Sequence, residues 1–224
     1  MTLRYTGKKL LFIAAGSIGV LAHGAPSQAA VLSKWSLDGS STAANAVAGA
    51  PAGKVERALL VEGHDGSAGK ALAFSDWSVI NYLKPDPAQA TRVVIPHDPK
   101  LLPSFPFRLS AWIFPTADPI YYGGIAEKGQ GYGAAYRLIL LRGLKVQASL
   151  GDQNIKAVGA VPISLNVWHE VTLIADGRNL ALMIDGKEVA KTPIPSGLKL
   201  ASTDPLLLGN RFTGRIDEVS ISSD

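Results

Sequence analysis

The chain has 224 residues and no cysteine. Disulfide stapling is therefore excluded, and stability has to come from burial of apolar side chains. It also lacks an apolar run long enough to cross a bilayer, which takes about 20 residues. The clearest such run, Leu10 to Leu21, has 12. Sustained 3.6-residue apolar periodicity is missing too, and 23 glycines with 14 prolines argue against long helices. Histidine is scarce, at 4 residues, and no His-x-x-x-His or comparable spacing offers a zinc site.

A surplus of one charge sign is likewise absent once the N-terminus is set aside. Arg4, Lys8 and Lys9 precede the apolar run, and Ser27-Gln28-Ala29 puts small residues where a signal peptidase cuts. Residues 1–29 are expected to be a signal peptide and 30–224 one exported domain, bound for the bacterial periplasm or the extracellular space. No cysteine is present for lipid attachment. Of 22 basic and 18 acidic residues, three bases and no acids lie in the leader, leaving 19 against 18. The basic pI belongs to the leader, so it gives no argument for nucleic acid or for an anionic membrane.

What is present is a series of short apolar runs divided by turn residues, the pattern of an all-β sandwich or barrel. "KALAFSD" (70–76) alternates, with Leu72 and Phe74 on one face. "RLSAWIF" (108–114) puts Leu109, Ala111 and Ile113 on one face, Trp112 and Phe114 on the other. "YRLILL" (136–141) and "LKVQASL" (144–150) are separated by Arg142-Gly143. "HEVTLIA", "LALMI" and "KEVAK" fill 169–191 with Asp-Gly pairs at 176 and 185 between them. Asp185-Gly186 suits a type I′ turn, in which both central residues take φ > 0. Residues 168–191 are thus expected to form a three-stranded antiparallel meander.

"NVWHEVTLIADGRNLALMIDGKEVA" followed by "PLLLGNRFTGRIDEVSIS" resembles the C-terminal half of a laminin-G-like jelly roll, of the concanavalin A-like lectin/glucanase superfamily. "GSAGKALAFSD", "VVIPHDPKLLPSFPFRLSAWIFP" and "GGIAEKG" resemble its N-terminal half, and the likeness spans about residues 31–222. It implies a two-sheet antiparallel jelly-roll sandwich, a fold that hosts lectins, glycosidases, lyases and adhesion modules alike. One departure is an insertion, "SDWSVINYLKPDPAQATR" (75–92), expected as a projecting loop because Pro85 and Pro87 oppose a continuous strand.

Catalysis finds little support. The alternating acidic strand that places two carboxylates in one cleft for glycoside hydrolysis is absent, and no strand clusters Tyr or His with Arg, Gln or Asn as a polysaccharide lyase requires. His169, after Trp168, reads as a semi-buried edge histidine; His64 and His97 lie in connections and read as solvated. Strict alternation in "RIDEVSIS" puts Asp217 beside Val219 and Ile221. A desolvated carboxylate there needs turn amides or a cation, and the resemblance places Asp38, on the first strand's exit, near enough to share a structural calcium.

Sugar recognition asks for aromatic faces with planar polar groups. Trp35, Trp112 and Trp168 fall in strand patterns and read as core. Trp77 and Tyr82 fall in the insertion, and Tyr121, Tyr122 and Tyr132 in Gly-rich connections. These five are the candidate glycan contacts, with packing over the sandwich end as the alternative role. The leading expectation is a non-catalytic glycan-binding module. A protein-adhesion or envelope-scaffold module with a cell-surface protein partner comes second, and a polysaccharide-cleaving hydrolase or lyase third. The oligomeric state is not legible.

Overall fold

A computed structural model describes residues 29–75, 89–129, 134–151 and 155–223. The strands are β1 (Val31–Trp35), β2 (Thr42–Ala43), β3 (Gly53–Glu56), β4 (Leu59–Val61), β5 (Ala71–Phe74), β6 (Arg92–Ile95), β7 (Phe107–Pro115) and β8 (Tyr122–Lys128). They continue as β9 (Tyr136–Leu141), β10 (Lys145–Leu150), β11 (Ile155–Val158), β12 (His169–Ala175), β13 (Asn179–Ile184), β14 (Lys187–Pro193), β15 (Leu206–Leu208) and β16 (Gly214–Ser223). Every pairing is antiparallel. The first sheet runs β14-β13-β12-β7-β16-β5-β4, and the second β11-β10-β9-β8-β15-β6-β3-β2. The short alternating runs form an all-β sandwich, in the two-sheet jelly-roll arrangement that the resemblance implies.

The long closing strand β16 organises the first sheet. One edge pairs with β7; the other pairs with β5 through Gly214–Ile216 and with β1 through Val219–Ser222. The first and last strands are thereby locked together. Trp35 shows how the core is anchored: its ring is fully buried while its indole N–H donates to the Pro51 carbonyl at 3.0 Å. Leu109, Ala111, Ile113, Val171, Leu173, Leu138 and Leu140 pack with it between the sheets. Period-2 alternation accounts for all of them.

The turns obey the chemistry of their residues. Asp185 and Gly186 have φ of 49° and 74°, as a type I′ turn demands. The β9–β10 turn is longer than the two residues expected: Leu141 pairs with Lys145, and Gly143 and Leu144 take φ of 81° and 58°. At the β12–β13 turn the Asp176 carboxylate accepts from the backbone N–H of Arg178 and Asn179 at 2.7 and 2.5 Å. Those amides of Asn179 and Arg178 hold its carboxyl below the usual range. A depressed folded value means that the contribution is present at neutral pH and is lost as pH falls below the unfolded value of about 3.9. Asp176→Asn is therefore expected to lower the melting temperature modestly at pH 7 and to flatten the acid limb of the profile, parent and variant converging well below about pH 4. A limb as steep as that of the parent would contradict this.

Two expectations about which way side chains face fail, for separate reasons. Asp217 does not share a side with Val219 and Ile221. Asp217 pairs with Trp112 but Ser220 with Ser110, so β16 carries one extra residue there, and Glu218 takes a φ of 47°. This β-bulge resets the alternation. Ile216 and Val219 both face the core, while Asp217 faces outward beside Arg215. Trp112 pairs across from Asp217 and faces outward too, so it is not core; Trp168, half-buried beside it, is not core either.

Candidate ligand-binding surfaces

Tyr121 and Tyr122 sit where the β7–β8 connection enters the second sheet. The connection is tied to the β9–β10 turn: Gly143 N–H donates to the Asp118 carboxylate at 2.8 Å, and Arg142 N–H to the Tyr121 carbonyl at 3.1 Å. Tyr121 is 52% exposed. Tyr122 is half-buried, with the Arg137 guanidinium 4.8 Å and the Arg211 guanidinium 5.6 Å from its ring centroid. Burial pushes its phenol above the usual range.

Beneath that ring lies an ion pair. Register places Glu127 of β8 opposite Arg137 of β9. Arg137 Nε donates to Glu127 Oε2 at 2.7 Å, Nη2 lies 2.6 Å from the same oxygen, and both side chains are buried. Asn210 Nδ2 donates to Glu127 Oε1 at 3.3 Å. Gly124 makes this possible, because a Cβ there would fall on the Glu127 carboxyl, and its N–H donates to the Asn210 carbonyl at 2.8 Å. The tyrosines thus form a shelf whose inner member is fixed by charged groups and whose outer member faces solvent.

Of the other candidate aromatics, Trp77, Tyr82 and Tyr132 lie outside the described residues. The insertion that carries the first two is closed at its base by Thr91, whose hydroxyl accepts from Ser75 N–H at 2.8 Å and donates to the Ser75 carbonyl at 2.7 Å.

Asp38 and Asp217 each have a protein partner. Lys70 Nζ lies 2.9 Å from Asp38 Oδ2. Asp217, 2% exposed, accepts from the backbone N–H of His64 at 3.1 Å and of Glu218 at 2.8 Å, and its Oδ2 lies 2.8 Å from His64 Nδ1. Two backbone amides and the His64 imidazole thus surround the Asp217 carboxylate. Among the described residues no three His, Asp or Glu side chains gather as a metal-binding group.

His64 therefore departs from the solvated role expected of it. Its ring stacks on Trp112 at 4.6 Å with an interplanar angle of 15°, and meets Trp168 edge-on at 6.3 Å. Trp168 in turn lies 5.5 Å from Phe114, over which Arg215 rests at 4.9 Å. This outward cluster on the first sheet was not singled out from the sequence. The signal was there, since alternation separates Trp112 and Phe114 from Leu109, Ala111 and Ile113. The general tendency of tryptophan to be buried outweighed it. His169 is semi-buried as expected, its Nδ1 at 2.8 Å from Asp185 Oδ2. His97 is exposed, its Nδ1 at 3.1 Å from Lys128 Nζ.

The family profile Laminin_G_3, described as the concanavalin A-like lectin/glucanases superfamily, matches residues 70–224. A search of curated proteins gave no match. Among solved structures, the chain is similar to domain 4 of AbnA, an extracellular arabinanase of Geobacillus stearothermophilus, solved in complex with arabinotriose. Identity is 14%, coverage 87% of this chain and 93% of that one, and the TM-score 0.64. It is also similar to the Trypanosoma rangeli sialidase, at 13% identity and TM-score 0.60, covering 84% of this chain but 30% of that one. A structure concerning botulinum neurotoxin type C, whose cell entry depends on two ganglioside molecules, matches at 10% identity and TM-score 0.58, covering 79% of this chain and 44% of that one.

Proposed function

Because the chain belongs to the concanavalin A-like lectin/glucanases superfamily, we propose that it is an exported, non-catalytic module that binds a glycan on the Tyr121–Tyr122 shelf. One observation carries the reading: an exposed tyrosine stands beside a second whose ring is held by Arg137 and Arg211 over the buried Glu127. A ring that is already ordered loses little side-chain freedom when a pyranose face stacks on it. The partly exposed Arg211 guanidinium beside that ring is a planar polar group of the kind that bonds sugar hydroxyls. The arabinotriose and gangliosides named for two structural neighbours support the same class of ligand. Trp77, Tyr82 and Tyr132 belong to this reading as further stacking faces.

The test is a glycan array probed with residues 30–224, followed by titration of the best glycan in solution. Tyr121→Ala is expected to weaken binding about tenfold, equivalent to about 1.4 kcal/mol, with an unchanged melting temperature. An empty array, or full affinity in Tyr121→Ala, would defeat the proposal.

Protein adhesion is the second reading, favoured by aliphatic side chains left in solvent. Val161 is 74% and Val189 37% exposed, and with Ile184 and His169 they line a groove of about 230 Å³. Selective capture of a cell-surface protein, lost in Val161→Asp, together with an empty glycan array, would favour it instead.

A further inference from the structure

The outward side of the first sheet carries a row fixed by register: Leu59 opposite Ala73, Ala73 opposite Arg215, and Arg215 opposite Phe114, with Trp168 against Phe114. Leu59 at one end is 70% exposed, and Val167, next to Trp168, is 47% exposed. Arg215 is the one charged member of this row. Its guanidinium lies over the Phe114 ring at 4.9 Å, is only partly exposed, and forms no ion pair among the described residues.

The neighbouring charges are already matched. Asp217 is held by His64, Lys34 lies 2.5 Å from Glu218, and Lys70 is paired with Asp38. Glu170 sits opposite Trp112, in the next row and two strands from β16. Arg215 is thus a cation whose aromatic support masks one face and leaves its planar N–H edge as the only strong binding element. A guanidinium edge of that kind matches a carboxylate, and matches it better than a neutral hydroxyl. Trp168 alongside offers an aromatic surface of the kind that pyranose C–H groups pack against.

We infer that this row is a second ligand-binding site, on the opposite sheet from the tyrosine shelf, that takes a carboxylated pyranose. Arg215 receives the carboxylate, Phe114 holds the guanidinium flat, and Trp168 packs against the ring. The inference shares its ligand class with the glycan-binding reading but none of its residues.

The experiment titrates the full mature chain, by calorimetry and tryptophan fluorescence, with carboxylated oligosaccharides and with the same oligosaccharides after carboxyl reduction. The carboxylated probes should bind at least tenfold more tightly, and the preference should shrink as salt is raised. Arg215→Gln should abolish the preference, Arg215→Lys should retain part of it, and Tyr121→Ala should leave it intact. Melting temperatures confirm that each variant is folded; should Arg215→Gln not fold, Arg215→Lys and Trp168→Phe carry the test through weakened acidic-probe binding. Equal affinity for both probe forms, or a preference that survives Arg215→Gln, overturns the second site. If neutral glycans bind and lose affinity in Tyr121→Ala while no acidic preference exists, only this inference fails. If no glycan binds at all, both readings fail.

Discussion

Glu127→Gln is expected to lower the melting temperature by an amount on the order of 10 °C. The substitution is nearly isosteric, so no cavity forms, yet it leaves the Arg137 guanidinium buried without its counter-charge. Breaking a buried pair by removing one partner costs about 3–5 kcal/mol. For a domain of this size each kcal/mol moves the midpoint by roughly 2–4 °C. The reasoning also predicts its own control. Replacing both partners with apolar side chains, as in Glu127→Leu with Arg137→Met, removes the stranded charge and should recover most of the loss. A double variant no better than the single one would show that the pair matters for something other than charge balance. In the double variant no guanidinium at position 137 steadies the Tyr122 ring, so glycan affinity should fall even though the protein remains folded.

Gly209→Ala should be nearly as damaging, at about 3 kcal/mol, although it adds one methyl group. Gly209 has φ of 72°, the left-handed region in which a Cβ is strained, and that Cβ would fall on the buried Phe74 ring. The ring cannot move outward without opening the core that Leu72, Ile216 and Leu208 share with it. Gly209 also begins the segment that delivers Asn210 to Glu127 and Arg211 to Tyr122. Loss of stability and loss of glycan binding should therefore appear together, as a lower urea midpoint and a weaker titration. A Gly209→Ala protein with parental stability would mean that the loop after β15 has more room than its geometry allows.

Local chemistry made much of the architecture legible. Asp185-Gly186 announces its own turn, because the conformation that the hairpin needs is one that Asp tolerates and Gly adopts without strain. The strands of the meander declare themselves by period-2 alternation, and Trp35 went where a large apolar ring in a strand generally goes. Register is where local reading ended. No feature of "RIDEVSIS" marks Glu218 as the residue that takes a positive φ, and that single bulge moves Asp217 from the core side to the outer face. Glu127 and Arg137 lie ten residues apart on different strands, and only the β8–β9 pairing makes them one ion pair. His64 belongs to a Gly-rich connection, and what captures it, Asp217, is 153 positions away. The aromatic candidates in loops could be named from composition alone. Which of them is held rigid, and by what, depends on contacts between strands that are remote in sequence.

The most direct test of glycan binding on the tyrosine shelf is amide chemical-shift mapping of the isotope-labelled domain during titration with the glycan that the array selects. The account predicts shifts concentrated at Tyr121 to Gly124 and at Asn210 to Phe212, reached in Tyr121→Ala only at about tenfold more glycan. Shifts centred on the β11 and β14 edges, or no shifts at saturating glycan, would contradict it.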